Sequence, residues 1–296
     1  MTNPRALRFL FVIDPLASLN PEGDTTLAFM REAVRSGVDV DVCELHDLRG
    51  TSSGSTRLRA TRAVPAGLGF VAGAVDDDAC LDDYAIVWMR KDPPVDDLFL
   101  FACMLLDRHD RTKTLVLNDP AQLRVAHEKL FALHFPTVIP RQVVTSSRTA
   151  LKAFFDVEGV AVLKPLAFMG GLGVMVFDKS DKNLKSAIDL LTSEGKRPAI
   201  AQQFLPRVVD GDKRVIVVDG EPVAALLRVP RGDDVRANLH VGGTAKVGVI
   251  DDDDRRICAV LAPELKARGL FFVGLDVIGG VLTEINVTSP TGVTHI

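Results

Sequence analysis

Short apolar runs alternate with longer amphipathic stretches over residues 8–118: RFLFVI, a helical period from about Glu22 to Ser36, VDVDVC, AIVWM, a second helical stretch near Val95 to Asp110, and TLVLN. Strand-length runs separated by helix-length ones predict a parallel sheet covered by helices. Gly50 to Gly69 interrupts the alternation; it is rich in Gly, Ser, Thr and Arg and too long for an ordinary connection in a compact domain. It reads as a solvated surface loop or a short hairpin.

From Asp119 the pattern changes to helices over Gln122 to His134 and Ser147 to Phe155, then the strand VAVLKPL, a glycine-bearing loop, the strand VMVF and a helix from about Lys182 to Ser193. This predicts a small α+β unit. Beyond Pro198 come AIAQQF, KRVIVVDGEPVAALLRV and LFFVGLDVIGGVLTEINV, with one helix from about Asp252 to Arg268. The DG and GG pairs each stand between two apolar runs, which is the signal of a tight hairpin. The acidic run Asp251 to Asp254 falls where that last helix begins, and is read as favourable charge at a helix N-terminus rather than a metal site.

Composition narrows the function classes. The 296 residues are 47% hydrophobic and 25% charged, as in an ordinary soluble protein of about two domains. With 35 basic against 39 acidic side chains, no global basic field would hold a nucleic acid or an anionic membrane. Trp88 and Tyr84 are alone of their kinds, so a base-stacking surface is not expected either. Leu98 to Leu106 is far shorter than the roughly 20 apolar residues of a membrane-spanning helix. The opening MTNPRALRFLFVIDP reads as a first buried strand rather than a signal peptide, because Asp14 and Pro15 cut the apolar run short. Cys43, Cys80, Cys103 and Cys258 form no CxxC pair, which points to reduced thiols and a cytoplasmic protein.

Two constellations carry candidate chemistry. In VLKPLAFMGGLGVMVF the glycines leave backbone N–H groups free to crowd an anion, but a strand rather than a helix follows, and the Walker pattern is absent. The loop therefore reads as a flap between antiparallel strands. Lys164, inside the preceding apolar strand, either meets a nucleotide phosphate or snorkels from an edge strand. In the C-terminal hairpin, Glu284 and Asn286 are two apart and share a face, and pairing across Gly279 and Gly280 can bring Asp276 near them. Such hard oxygen ligands suit Mg²⁺ in a nucleotide site; the alternative is an exposed polar strand face. Arg214, Arg228 and Arg236 are scattered over β-rich sequence, as anion binders or surface charges. No HxxxH spacing supports zinc hydrolysis, and His127 and His134 read as partly buried surface residues.

FVIDPLASLN, WMRKDPPVD, NDPAQLRVAHEKLF, LKPLAFMGGLG, AQQFLP, DGDKRVIVVDGEPV, RANLHVGGTA, FVGLDVIG and LTEINVTSPTG occur in this order over nearly the whole chain. Together they resemble the prokaryotic glutathione synthetases of the ATP-grasp ligases. The resemblance implies an α/β protein of ATP-grasp architecture: a Rossmann-like N-terminal domain (1–120), a small α+β lid (121–198) and a β-rich catalytic subdomain (199–296). It further implies that Lys129 and Lys164 touch ATP phosphates, that Gly170, Gly171 and Gly173 cover them, and that Gln202, Gln203, Phe204 and Leu205 line the adenine. Asp212 would lie near the nucleotide and Arg214 near the reacting phosphate, with Asp276, Glu284 and Asn286 on Mg²⁺ or Mn²⁺. Arg214, Arg236 and Asn238 would stabilise the acyl phosphate and oxyanion, while Arg90 and Ser289 would touch the peptide substrate.

The implied reaction joins γ-glutamylcysteine to glycine with ATP, releasing ADP and phosphate, in a homo-oligomer, a tetramer by resemblance. Two features depart from the family pattern. Ala167 and Phe168 stand where its loop usually has Asp and Gly, and Thr294 and His295 follow TSPTG where it has an Arg–Glu pair. These departures motivate two alternatives, a paralogous ATP-grasp carboxylate–amine ligase with another substrate, or an ATP-binding pseudoenzyme.

Overall fold

The computed structural model describes residues 7–52, 54–166, 170–229 and 244–296. Its first part runs β1 (Arg8–Val12), α1 (Thr25–Arg35), β2 (Asp39–Cys43), β3 (Leu48–Arg49), β4 (Arg57–Ala66), β5 (Gly69–Cys80), β6 (Ile86–Met89), α2 (Asp97–Leu106) and β7 (Leu115–Leu117). The strands form one sheet in the order β3-β4-β2-β1-β6-β7, with β5 on β4. Strands β2, β1, β6 and β7 are parallel, as their two-faced apolar runs require. α1 starts at Asp24, whose carboxylate accepts the Leu27 N–H at 3.0 Å.

The polar stretch after Gly50 is more ordered than a loop. It enters the β4–β5 hairpin, which continues to Cys80. Arg57 and Arg59 on β4 pair across the strands with Asp78 and Asp77 at 2.6 and 3.0 Å. A solvated strand pair held by cross-strand ion pairs has loop-like composition, which is why its alternation is weak in the sequence.

The middle of the chain gives α3 (Pro120–Leu123), α4 (Glu128–Phe131), β8 (Gln142–Thr145), α5 (Arg148–Glu158), β9 (Val160–Pro165), β10 (Met175–Asp178), α6 (Leu184–Leu191) and β11 (Ala199–Gln203). The single helix expected over Gln122 to His134 is broken. His127 is extended, and its ring accepts the Lys129 N–H to start α4 afresh. Strands β10-β9-β11-β8 form an antiparallel sheet, packed by Leu151, Phe155, Leu163 and Ile188 into a core of its own. β9 lies inside this sheet, so Lys164 is not an edge-strand lysine.

The last part comprises β12 (Asp212–Val218), β13 (Glu221–Val229), β14 (Thr244–Gly248), α7 (Asp252–Ala267), β15 (Phe272–Ile278) and β16 (Val281–Asn286). The sheet order is β14-β13-β12-β15-β16, antiparallel throughout. Asp251 caps α7 in a reciprocal capping box with Asp254, and Lys213 bonds both carboxylates at 2.6 and 2.7 Å. This sheet has two unlike faces. Val215, Val217, Leu275, Val277 and Ile285 pack with Ile257, Leu261 and Leu265 of α7 in a core continuous with that of the first sheet. The opposite face is polar.

Candidate active site

The polar face follows from strand alternation and register. Asp212 and Arg214 share a face of β12, and Arg214 stands opposite Asp276 on β15. Asp276 in turn stands opposite Glu284 on β16, and Gly274 opposite Asn286. Directly opposed residues in antiparallel strands lie on one face of the sheet, so Asp276, Glu284 and Asn286 are brought together there. Gly279 and Gly280 form the turn with φ of 57° and 79°, and a Cβ on Gly280 would lie 2.3 Å from the Asp253 carboxylate.

The four-stranded sheet faces this surface across a cleft of about 920 Å³, part of it open to solvent. Val162 and Lys164 of β9, Val176 of β10 and Gln202 of β11 line one wall; Asp212, Asp276 and Glu284 line the other. Gln203, Phe204 and Leu205 pass along one side, and Gly170 and Gly171 along another. Lys129 completes the cleft from α4, with Nζ 3.5 Å from Glu284 Oε1 and 3.5 Å from the Leu166 carbonyl. Two buried lysines and three carboxylates thus converge in an apolar-walled space. Burial lowers the Lys164 pKa, with Glu284 opposing the shift.

Beside the cleft lies an ionic network. Arg214 donates from Nε to Asp276 Oδ1 at 2.5 Å and from Nη2 to Oδ2 at 3.2 Å. Arg228 of β13 donates from Nη2 to Asp212 Oδ2 at 2.6 Å and lies 2.9 Å from Asp276 Oδ1. Burial acts against the charge on Asp276, but the two guanidiniums outweigh it and hold its pKa below the usual carboxylate range. Asp212 moves the other way, up to about 6, because burial, with the charge of Asp276 added to it, outweighs Arg228 and the more weakly felt Arg214. Among the described residues its buried Oδ1 has no hydrogen-bond partner. In Glu128, just behind Lys129, burial and the neighbouring Glu284 raise the pKa to about 7, and its Oε1 accepts the Thr288 N–H at 3.3 Å.

The family model of the prokaryotic glutathione synthetase ATP-grasp domain matches residues 128–296, and that of the family's N-terminal domain matches residues 7–124. The chain belongs to the prokaryotic glutathione synthetase family. Among its glutathione synthetase relatives, that of Synechococcus elongatus is 44% identical over 98% of this chain and 93% of its own length. The Citrobacter rodentium protein is 41% identical over 96% and 91%. Among solved structures, D-cycloserine synthetase DcsG superposes with a TM-score of 0.65 at 17% identity, covering 95% of this chain and 92% of its own. A RimK domain ATP-grasp protein from Sphaerobacter thermophilus gives 0.58 at 17% identity, covering 95% and 91%. These likenesses show the ATP-grasp fold. As a glutathione synthetase of this fold, the chain is an ATP-dependent ligase that forms glutathione and uses a divalent metal.

The donor set suits such a metal. Two carboxylates and an amide oxygen on one rigid strand pair are hard ligands, and Asn286 Nδ2 donates to the Gly274 carbonyl at 3.1 Å, which leaves the amide oxygen as the ligating atom. The carboxylate oxygens keep lone pairs beyond those that meet Arg214, Arg228 and Lys129.

Of the residues expected to form the glutathione synthetase site, Lys129, Lys164, Gly170, Gly171, Gln202 to Leu205, Asp212, Asp276 and Glu284 line one cleft. Gly173 and Asn286 are not among its lining residues; Asn286 stands one pair beyond Glu284 on the same strand face. Arg214 is held behind the cleft by Asp276. Arg236 and Asn238 lie outside the described residues. Arg90 is buried elsewhere, beside a separate recess of about 160 Å³ lined also by Trp88, Asn118, Phe272 and Thr288. It donates to Thr26 Oγ1 and the Pro290 carbonyl at 3.1 and 3.0 Å, and its Nη1 has no partner among the described residues. Burial lowers its pKa to about 10. Ser289 donates to the Arg90 carbonyl at 3.4 Å.

Sequence reasoning missed Glu128 and left Arg228 open. Glu128 carried a signal, a carboxylate beside Lys129 in HEKLF. Arg228 carried none that counting could use. Register counted back from Asp219–Gly220 pairs Asp212 with Leu227, and only the bulge at Ile216/Val217 moves Arg228 opposite Asp212.

Proposed function

We propose that the ligation joins the cysteinyl carboxylate of γ-glutamylcysteine to the amine of glycine through an acyl phosphate. A carboxylate is a poor acyl donor because oxide would have to leave. In the first step a carboxylate oxygen attacks the γ-phosphorus of ATP and ADP departs. In the second, the glycine nitrogen attacks the acyl carbon, phosphate departs and the amine gives up a proton.

The observation that carries this reading is the convergence of Lys129 and Lys164 on the strand face bearing Asp276, Glu284 and Asn286. The lysines neutralise and position the phosphates, and the chain at 202–205 holds the adenine against apolar Val162 and Val176. A divalent cation on Asp276, Glu284 and Asn286, Mg²⁺ in this proposal with Mn²⁺ as substitute, supplies charge neutralisation for the transferring phosphoryl group. Arg214, with Arg236 and Asn238, stabilises the acyl phosphate and the tetrahedral oxyanion. Arg90, whose buried Nη1 lacks a partner among the described residues, and Ser289 receive the peptide substrate. In this reading residues 1–120 are the Rossmann-like domain, 121–198 the lid and 199–296 the catalytic subdomain of a cytoplasmic homo-oligomer. No helix among the described residues is long and apolar enough to cross a membrane.

The test is ADP release by the purified chain with Mg-ATP and γ-glutamylcysteine, with and without glycine, followed by mass detection of the tripeptide. Glycine-dependent ADP with glutathione formed is the expected result. Faster turnover with another acid or amine, or ATP binding with no ADP from any amine, overturns it.

A further inference from the structure

Helix α2, with the sequence DLFLFACMLL, is apolar on two opposite sides. Phe99, Ala102, Cys103 and Leu106 point into the core, which accounts for one side. On the other, Leu98, Phe101 and Met104 are 50%, 58% and 51% exposed. A helix apolar all round is normally covered all round.

The exposed side is also patterned. Asp97, Phe101, Met104 and Arg108 follow one another at spacings of four, three and four, the seam of a two-helix contact, with Leu98 beside it. The stripe is acidic at its start and apolar in its middle. At its end Arg108, just past the helix, is fixed by donating to the Thr51 and Gly54 carbonyls at 2.6 and 2.9 Å. Turned end for end, such a stripe complements itself: Phe101 meets Phe101, Leu98 meets Met104, and the long side chain of Arg108 in each copy reaches back three residues along the axis, about 4.5 Å, to Asp97 of the other. The opposed helix dipoles reinforce that direction.

We propose that this face of α2 joins two copies of the chain across a two-fold axis, with the helices antiparallel. The proposal deepens the self-association named above by giving it a surface. Val95, 45% exposed just before the helix, extends the patch at one end. Val125, 66% exposed, extends it at the other, beside Arg124, which ties α3 to Asp107 of α2 at 3.2 Å. These side chains offer roughly 400–500 Å² of apolar surface, about the apolar share of the ~800 Å² that each partner of a stable interface buries. An isologous contact of this kind closes on itself and leaves no second sticky face.

The test is analytical ultracentrifugation of the full chain over a wide concentration range. The unaltered chain is expected to form a dimer, or a larger even-numbered assembly, through this face. Phe101→Asp should weaken association by roughly 30-fold or more while the thermal melt of the monomer is kept. Asp97→Arg and Arg108→Asp should each weaken it, and the two together should restore it. In a Cys80→Ser background, Phe101→Cys should give a disulfide-linked dimer on oxidation. This keeps the test decisive should the Arg108 variant disturb its loop. A chain that stays monomeric overturns the self-association itself. An oligomer indifferent to Phe101→Asp and unlinked through Phe101→Cys overturns this surface and leaves self-association elsewhere.

Discussion

Arg228 reaches past β12 to Asp276: its Nη2 lies 2.9 Å from Asp276 Oδ1 while holding Asp212 Oδ2 at 2.6 Å. The two carboxylates sit on adjacent strands, and one guanidinium serves both. Arg228→Ala would leave Asp212 and Asp276 buried with Arg214 alone, an uncompensated charge that costs about 3–5 kcal/mol. Arg228→Lys keeps the charge but not the planar fork and should cost less. Urea unfolding of the ligand-free chain measures both, and equal stability of all three proteins would contradict the shared role.

Lys164 is expected to trade stability for binding. Its ammonium is buried and burial lowers its pKa, so Lys164→Met, which keeps the length and removes the charge, should leave the ligand-free chain as stable or more so. ATP affinity should fall by at least about tenfold, as for loss of one charge-assisted phosphate contact. Calorimetry of ATP binding beside a thermal melt reads both, and a parallel loss of the two would show a structural lysine.

Glu128 makes stability depend on pH in a stated direction. Because its folded-state pKa is raised from 4.5 to about 7, the native chain holds a proton that the unfolded chain has released across that window. Stability therefore falls as pH rises from below 4.5 to above 7, by about 3 kcal/mol from this group. Glu128→Gln retains an acceptor for the Thr288 N–H and removes the titration. The stability of the parent relative to the variant should decline over this range, and a pH-independent difference would refute the assignment.

Gly274 makes room for Arg214. A Cβ there would lie 2.9 Å from Arg214 Cδ and 3.2 Å from Pro290 Cβ, so Gly274→Ala pushes the guanidinium off Asp276. Steady-state kinetics should show kcat reduced about tenfold or more, since displacement of a positioned charge by a fraction of an ångström is enough. KM for ATP should change little, because Lys129, Lys164 and residues 202–205 are untouched.

The parallel first sheet, the acidic start of α7, both tight hairpins and, in the cleft, Lys164, the glycine loop, Asp276 and Glu284 were legible in the chain from local pattern: period two, period 3.6, or a turn dipeptide. Lys129, residues 202–205 and Asp212 came instead from the family resemblance. The β4–β5 hairpin was not told apart from a solvated loop, since its arginines and aspartates satisfy one another only across strands. Nor was the break before α4 legible, where His127 turns a continuous apolar pattern into two short helices.

Asp276, Glu284 and Asn286, the proposed metal ligands, divide the two kinds of information most sharply. Local sequence determined that Glu284 and Asn286 share a face and that Gly279–Gly280 turns the strand back. Counted from that turn, however, Asp276 would pair with Thr283, and Glu284 would point to the opposite face. A bulge between Asp276 and Val277 shifts the register by one residue and sets Asp276 opposite Glu284, with the Thr283 hydroxyl donating to the Asp276 carbonyl at 3.1 Å. Side chains alternate every residue, so a one-residue shift exchanges the faces of everything beyond it. Val277 and Leu282 on one side of the bulge and Leu275, Ile285 and Val287 on the other are all buried against the same core. Only packing on α7 and the first sheet makes both halves bury their apolar residues at once, and so the tertiary structure decided the face on which the carboxylates meet.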